Sequence, residues 1–222
     1  VAELIKDPEK ARLGGERKEL TVLFSDIKGF TSFSERHQPE EVVAILNEYM
    51  SAMTEVIFRW DGTLDKFIGD AIVVFWGAPI EQPDHAERAI RCALNMRDRL
   101  TKLQEKWEGE GREPLDAGIG INTGEMIVGN MGAQGKKMDY TVIGDHVNLG
   151  ARVEALTRMY NSNILITEFT YSHIKGFVHK SEDTNKPRLG HVSMKGLDSV
   201  KVKGREKPIL VYELIGLNRE GE

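Results

Sequence analysis

Two apolar runs rich in β-forming residues contain an aspartate at an end, and this pattern constrains the fold more than any other feature. The first run, LTVLFSD, covers residues 20–26, and the second, FIGDAIVVF, covers residues 67–75. A Gly-Asp pair between β-rich segments predicts a hairpin, because glycine allows the positive φ that tight turns need. If the two runs are neighbours in one sheet, Asp26 and Asp70 lie side by side at its edge. Paired carboxylates are ligands that Mg²⁺ prefers, so the pattern predicts a metal site.

Helical and strand patterns alternate along the rest of the chain. Capping-box spacing over residues 32–35, with Pro39 in a first turn, predicts the start of a long helix with a methionine-rich apolar stripe. The other predicted elements are a strand at 19–25, a hairpin around Gly69, a helix from about 84, strands at 116–129 and 138–143, a helix at 145–160, a strand at 163–167 and two strands within 200–214. Antiparallel hairpins that alternate with helices favour an α+β fold, with the helices packed on one face of a sheet.

Composition and charge narrow the environment and the partners. The 222 residues have a net charge of −5, which offers no basic surface for nucleic acid, and we expect no such partner. The single cysteine, Cys92, fits a reducing compartment, and no apolar stretch reaches the roughly 18 residues needed to span a membrane. We therefore expect a cytoplasmic domain. We expect a connector at 1–18, a main domain at 19–216 and a C-terminal tail at 217–222.

Three segments contain motifs that occur together in one known family. They are FSDIKGFT at residues 24–31, KFIGD at 66–70 and DYTVIGDHVNLGAR at 139–152. In order and content they resemble the class III nucleotidyl cyclases, and the resemblance extends over about residues 19–214. It implies a catalytic domain with a ferredoxin-like antiparallel sheet and helices packed on it. It also implies a homodimer that converts a nucleoside triphosphate to its 3′,5′-cyclic monophosphate and pyrophosphate at sites in the subunit interface.

The resemblance assigns a metal and phosphate site to the first two segments. Asp26 and Asp70, with the carbonyl of Ile27, would hold two Mg²⁺ or Mn²⁺ ions per active site. Backbone amides of the following turn would contact phosphate oxygens, because glycine lets the backbone approach an anion closely. The substrate-binding residues expected in this turn are Gly29, Phe30 and Thr31.

The third segment and the C-terminal region supply the other residues that the resemblance implies. Asn148 would orient the ribose, and Arg152, one helical turn later, would stabilise negative charge on the α-phosphate. Lys203 would bind the β- and γ-phosphates, with Lys201 as a near alternative. Lys137, before the strand at 138–143, is a further candidate phosphate ligand.

Base choice depends on two positions. Lys66 stands where adenylyl cyclases have lysine and guanylyl cyclases have glutamate. Thr141 stands where adenylyl cyclases have aspartate or threonine and guanylyl cyclases have cysteine. A lysine donor suits the acceptor N1 of adenine, and a hydroxyl can accept from its 6-amino group, so we expect ATP as substrate. The threonine is typical of a subgroup, found among bacterial receptor-type cyclases, that is often linked to bicarbonate stimulation, and bicarbonate is a candidate activator.

The resemblance also divides the site between two chains. Asp26 and Asp70 would come from one subunit, and the partner would supply the remaining residues, which are Lys66, Thr141, Asn148, Arg152 and Lys203. Residues 13–18 resemble the connector that precedes such domains in receptor cyclases, which fits an upstream sensor or membrane anchor in a longer protein.

Other functions stay open at this level. One is a catalytically inactive relative that only binds nucleotide or a partner, although such relatives normally lose a metal aspartate or the Asn/Arg pair. Another is a cyclase that uses GTP. A diguanylate cyclase is disfavoured, because residues 67–70 replace its Gly-Gly-(Asp/Glu)-(Asp/Glu)-Phe hairpin.

Overall fold

One mixed sheet and the helices on its two faces make up the fold. The computed structural model describes residues 14–133, 136–174, 191–200 and 208–218. In these residues the strands are β1 Gly14–Ile27, β2 Thr63–Ile68, β3 Ala71–Trp76, β4 Ala117–Ala133, β5 Lys137–Ile143, β6 Ile164–Thr167, β7 His191–Val200 and β8 Ile209–Asn218. The helices are α1 Phe30–Arg36, α2 Pro39–Arg59, α3 His85–Gly109, α4 Asp145–Met159 and α5 Glu168–Ile174. The predicted α+β class is confirmed.

β1 is an interior strand of the sheet, between β3 and β4. The strand order is β2-β3-β1-β4-β6-β8-β7, and β5 pairs with β4 outside this path. Within the described residues β4 and β6 run parallel and the other pairs are antiparallel. Ser25 of β1 pairs with Ile72 of β3, so the end of β1 lies next to the β2–β3 turn. This register brings the two sequence segments that end in aspartate to the same edge.

The first face of the sheet is covered by α2 and α3. Tyr49, Met53 and Ile57 of α2 are buried in one cluster with Ile90 and Trp107 of α3. The methionine-rich stripe of the long helix is therefore core packing, as its helical spacing predicts. The cluster also contains Leu23 and Val74 from the sheet.

The second face is covered by α4 and by the β4–β5 hairpin. Leu20 and Val73 of the sheet are buried there against Met126 and Val142 of the hairpin. At Gly120 of β4 an added Cβ would lie 2.2 Å from the backbone nitrogen of Glu154 in α4, so only glycine permits this contact. The prediction that the helices share one face of the sheet is therefore wrong for α4.

Several predicted boundaries are corrected by the structure. Residues 32–35 lie inside α1, and the capping box that starts α2 is formed by Gln38 and Glu41, with Pro39 at the predicted first turn. β1 begins at Gly14 rather than at residue 19, because its first residues pair with β4 as far as Asn130. Residues 14–18, predicted as connector, are thus part of the sheet.

The C-terminal region also differs from the prediction. β8 ends at Asn218 rather than at residue 214, and its partner is β7, which precedes the predicted hairpin at 200–214. The short helix α5 was not predicted. Of the described helices, none has the length and apolarity that a bilayer span requires.

Candidate nucleotide and metal site

Asp26 and Asp70 form a pair of carboxyl groups at the edge of the sheet. Asp26 is next to last in β1, and Asp70 lies in the tight turn after Gly69, whose φ is 62°. The two side chains are within hydrogen-bonding contact, and burial together with the negative charge of Asp26 raises the pKa of Asp70 to about 6. The backbone amide of Ile27 donates to Asp70 and opposes this rise. The structure therefore brings the predicted metal residues together.

The donor set of this pair fits a hard divalent cation. Two carboxylates held close enough to share a proton are stabilised when a cation replaces that proton. In the described part of the chain no group of three or more acidic, histidine or cysteine side chains is arranged to hold a metal. The remaining ligands would be oxygens of the main chain, substrate and water, which is how Mg²⁺ is commonly bound in nucleotide enzymes.

A cation from α4 already contacts the acid pair. Arg158 donates from Nη2 to Oδ2 of Asp26 and, at 2.8 Å, from Nη1 to Oε1 of Glu154. Glu154 is buried, and burial raises its pKa to about 7 although Arg158 opposes the rise. Sequence reasoning missed both residues; their i,i+4 spacing on the third predicted long helix was the available signal.

The turn after β1 is anchored at Lys28. Its ammonium donates to Asp116 and to Asn163, each at 2.9 Å, so its charge is used inside the chain. Gly29 follows in the left-handed region with φ 69°, and Phe30 and Thr31 begin α1. The first amides of a helix have no partner within it, so this turn has donors to offer an anion.

Lys66 and Thr141 meet at a second location, although they are 75 residues apart. Lys66 Nζ donates to Thr141 Oγ1 at 3.2 Å. They meet because the β4–β5 hairpin folds over the second face and brings β5 to β2. Thr141 also donates to Oδ2 of Asp65 at 2.8 Å, and sequence reasoning gave no role to Asp65.

Asn148 and Arg152 both lie on α4, and Arg152 is on a different side of this helix from Glu154. Asn148 is exposed. Arg152 and Glu154 are two residues apart, which places them about 160° apart around the helix axis. Within one chain α4 therefore directs Glu154 and Arg158, but not Arg152, toward the acid pair. Nη1 of Arg152 is buried and has no hydrogen-bond partner among the described residues.

Comparison with known proteins identifies the family. The chain matches the family model described as adenylate and guanylate cyclase catalytic domain over residues 15–215. The chain belongs to this family. It is 34% identical over 217 residues to Adenylate cyclase 1 of Rhizobium meliloti (strain 1021), an alignment that covers 96% of this chain and 30% of that protein. This cyclase domain thus spans less than a third of the length of that relative.

Two solved structures bear on the choice of base. The cyclase domain resembles the adenylyl cyclase CyaB from P. aeruginosa, with 36% identity, a TM-score of 0.80 and coverage of 93% of this chain and 98% of that chain. It also resembles the guanylyl cyclase Cya2, with 37% identity, a TM-score of 0.78 and coverage of 94% and 98%. Because the two identities are nearly equal, overall similarity does not distinguish ATP from GTP, and the individual residues must.

The remaining predicted phosphate ligands are lysines at the start of β5 and in the C-terminal region. Lys137 at the start of β5 has an 82% exposed side chain and forms an ion pair with Asp139 at 3.6 Å. Nothing in the described residues links it to the acid pair, so its phosphate role stays a prediction. Lys203 and its alternative Lys201 lie outside the described residues.

Proposed function

We propose that this domain is the catalytic part of an adenylate cyclase, which converts ATP to 3′,5′-cyclic AMP and pyrophosphate. The observation that supports ATP most directly is the contact between Lys66 and Thr141. A fixed ammonium and a hydroxyl side by side match the acceptor N1 and the donor 6-amino group of adenine. Guanine presents a donor at N1, so the contact with the Lys66 ammonium would oppose it.

The acid pair would hold the metal ions that the reaction needs. Asp26, Asp70 and the carbonyl of Ile27 are the proposed ligands. When bound, Mg²⁺ or Mn²⁺ would lower the pKa of the ribose 3′-hydroxyl and neutralise negative charge on the triphosphate. The amides of Gly29, Phe30 and Thr31 would bind phosphate oxygens next to this site, because the left-handed Gly29 opens the turn.

Arg152 would stabilise the charge that develops on the α-phosphate as the bond to pyrophosphate breaks. Its buried Nη1 without a partner in the described chain is suited to a phosphate oxygen that a bound nucleotide would bring. Asn148, exposed one turn earlier on α4, would orient the ribose, so that its 3′-hydroxyl faces the α-phosphate.

The active site would be assembled from two copies of the chain. The support is the direction of α4, since within one chain the arginine at the acid pair is Arg158 rather than Arg152. In a two-fold symmetric dimer, Asp26 and Asp70 of one chain would face the other residues on the partner, and two equivalent sites would result. The residues supplied by the partner would be Lys66, Thr141, Asn148, Arg152 and Lys203.

The test is to incubate the protein with Mn²⁺ and either ATP or GTP, and to identify the product by mass spectrometry. We expect cyclic AMP from ATP and far less cyclic GMP from GTP. The Asp26→Ala variant is the control for a contaminating cyclase. Cyclic GMP as the main product would favour the guanylyl alternative, and no cyclic product from a protein proven dimeric would favour the inactive relative.

A further inference from the structure

Asp65 lies at an irregularity of β2 that changes the direction of its side chain. The register between β2 and β3 shifts between Leu64, which pairs with Val74, and Lys66, which pairs with Val73. Asp65 is therefore the extra residue of a β-bulge. In a regular strand consecutive side chains point to opposite faces, whereas a bulge can turn two of them to one side. Asp65 and Lys66 accordingly both contact Thr141.

The carboxylate of Asp65 is buried and serves only its neighbours. Its side chain is 3% exposed, and its Oδ1 lies 3.5 Å from the ammonium of Lys66. Its Oδ2 accepts the hydroxyl proton of Thr141 at 2.8 Å. Burial raises the pKa of Asp65, while the Thr141 hydrogen bond and the Lys66 charge oppose the rise and favour the ionised form. Oδ1 has no hydrogen bond within the described residues.

These contacts determine what the Thr141 hydroxyl can offer a nucleotide. A hydroxyl has one proton and two lone pairs, and left free it rotates to donate or to accept. Here the proton goes to Asp65 and one lone pair accepts from Lys66. The one position that remains is an acceptor, which suits the 6-amino group of adenine and repels the carbonyl oxygen of a 6-oxopurine.

We propose that Asp65 is a positioning residue for base recognition, which makes Thr141 an obligate acceptor and so excludes 6-oxopurine nucleotides. This proposal rests on the proposed function, because it presumes that Lys66 and Thr141 contact the base. Asp65 itself does not touch the nucleotide. Its effect on the 6-position of the purine passes through Thr141.

Three triphosphates vary that position. ATP has a 6-amino group and an acceptor N1. Inosine triphosphate has a 6-oxo group, a protonated N1 and no 2-amino group, and purine riboside triphosphate has no 6-substituent but keeps the acceptor N1. We expect Asp65→Leu, which removes the acceptor, to raise the ratio of kcat/KM for inosine triphosphate to that for ATP by about tenfold, the value of one hydrogen bond. Asp65→Asn keeps an acceptor oxygen and should retain most of the ATP preference. Asp98→Leu on α3 is the control and should leave the ratio unchanged.

Purine riboside triphosphate distinguishes positioning from general structural damage. Its kcat/KM should change less than that of ATP in Asp65→Leu, because it makes no contact at the 6-position. An equal loss for all three nucleotides, or no change in the ratio, would overturn the proposal. Asp65→Ala also removes the acceptor and supplies the same comparison if leucine is not accommodated, with thermal unfolding as the check on folding.

Thr141→Val separates the failure of this proposal from failure of the proposed function. If Thr141→Val leaves the ratio unchanged, Thr141 does not contact the base, and the assignment of the base site is wrong. If Thr141→Val changes the ratio but Asp65→Leu does not, only the role of Asp65 is wrong. In the Thr141→Val background, adding Asp65→Leu should change the ratio no further, because the hydroxyl through which Asp65 acts is gone.

Discussion

Replacing Asp70 by asparagine should stabilise the metal-free protein at pH 8. The pKa of Asp70 is raised from 3.8 to about 6 by burial and by the nearby carboxylate of Asp26. A carboxyl whose pKa is raised on folding binds its proton more tightly in the folded state. The free energy of unfolding therefore falls as the pH rises from about 4 to about 6, and the full penalty remains above that range.

The size of the effect follows from the pKa shift. Two pH units at about 1.4 kcal/mol each give about 3 kcal/mol as an upper limit. Asp70 is partly exposed, so solvent screening reduces the expected stabilisation to about 1–2 kcal/mol. The neutral amide of asparagine removes the repulsion and can still accept from the amide of Ile27.

The assay is urea denaturation with EDTA, at pH 5 and at pH 8, for the unmodified protein and Asp70→Asn. The variant's gain in free energy of unfolding should be present at pH 8 and smaller at pH 5. With Mn²⁺ in place of EDTA at pH 8, the unmodified protein should be more stable than Asp70→Asn, because metal binding stabilises only a folded protein with an intact site. Asp98→Asn controls for the loss of one negative charge. An Asp70→Asn variant that is no more stable than the unmodified protein in EDTA would refute the carboxyl pairing.

Three further predictions concern the base, the metal and regulation. Lys66→Glu with Thr141→Cys should lower kcat/KM for ATP and raise it for GTP, so that the ratio of GTP to ATP use rises about tenfold or more. A variant that keeps the full preference for ATP would show that these residues do not select the base. Arg158→Gln should tighten Mn²⁺ binding about two- to fivefold, because the guanidinium competes with the metal for Asp26. The measurement is a titration without nucleotide, followed by electron paramagnetic resonance, and unchanged or weaker binding would argue against competition. Millimolar bicarbonate should raise the rate of cyclic AMP formation, and an equal rate in chloride at matched pH would remove it as an activator.

The β2–β3 hairpin that carries Asp70 was predictable because its signals are local: Gly69 takes the positive φ that the turn requires. From the sequence alone, the approach of Asp26 was predicted only as a condition, because it depends on the pairing of β1 with β3. The long helix α2 was also predictable from local signals, since a sustained apolar stripe specifies a helix without knowledge of the partner. Its start was predicted a few residues too early, because the capping box forms at Gln38 and Glu41 rather than at residues 32–35.

Features that depend on distant pairing were not predictable from the residues alone. Lys66 and Thr141 meet because a hairpin folds across the second face, and only the family resemblance placed them together. Asp65 looks like an ordinary exposed strand residue until the bulge and its burial are known. Glu154 and Arg158 look like a solvated helical pair, yet Arg158 contacts Asp26, which is 132 residues away. β7 is the exception: it pairs with the next strand, β8, but it lies before residues 200–214, where the two C-terminal strands were predicted.

The composite site is the central claim, and mixing two inactive variants tests it most directly. Asp26→Ala removes a proposed metal ligand and Asn148→Ala removes the proposed ribose contact, so each homodimer should be nearly inactive. In a mixed dimer, one site joins the intact aspartates of one chain to the intact Asn148 and Arg152 of the other, while the second site has both lesions.

We expect cyclic AMP formation to reappear on mixing, up to about half of the activity of an intact dimer for each mixed dimer, since one site of two is restored. It should fall steeply on dilution, because assembly obeys mass action. Differently tagged chains and a pull-down establish that mixed dimers form. No recovery at any concentration at which mixed dimers are present would mean that each site belongs to a single chain.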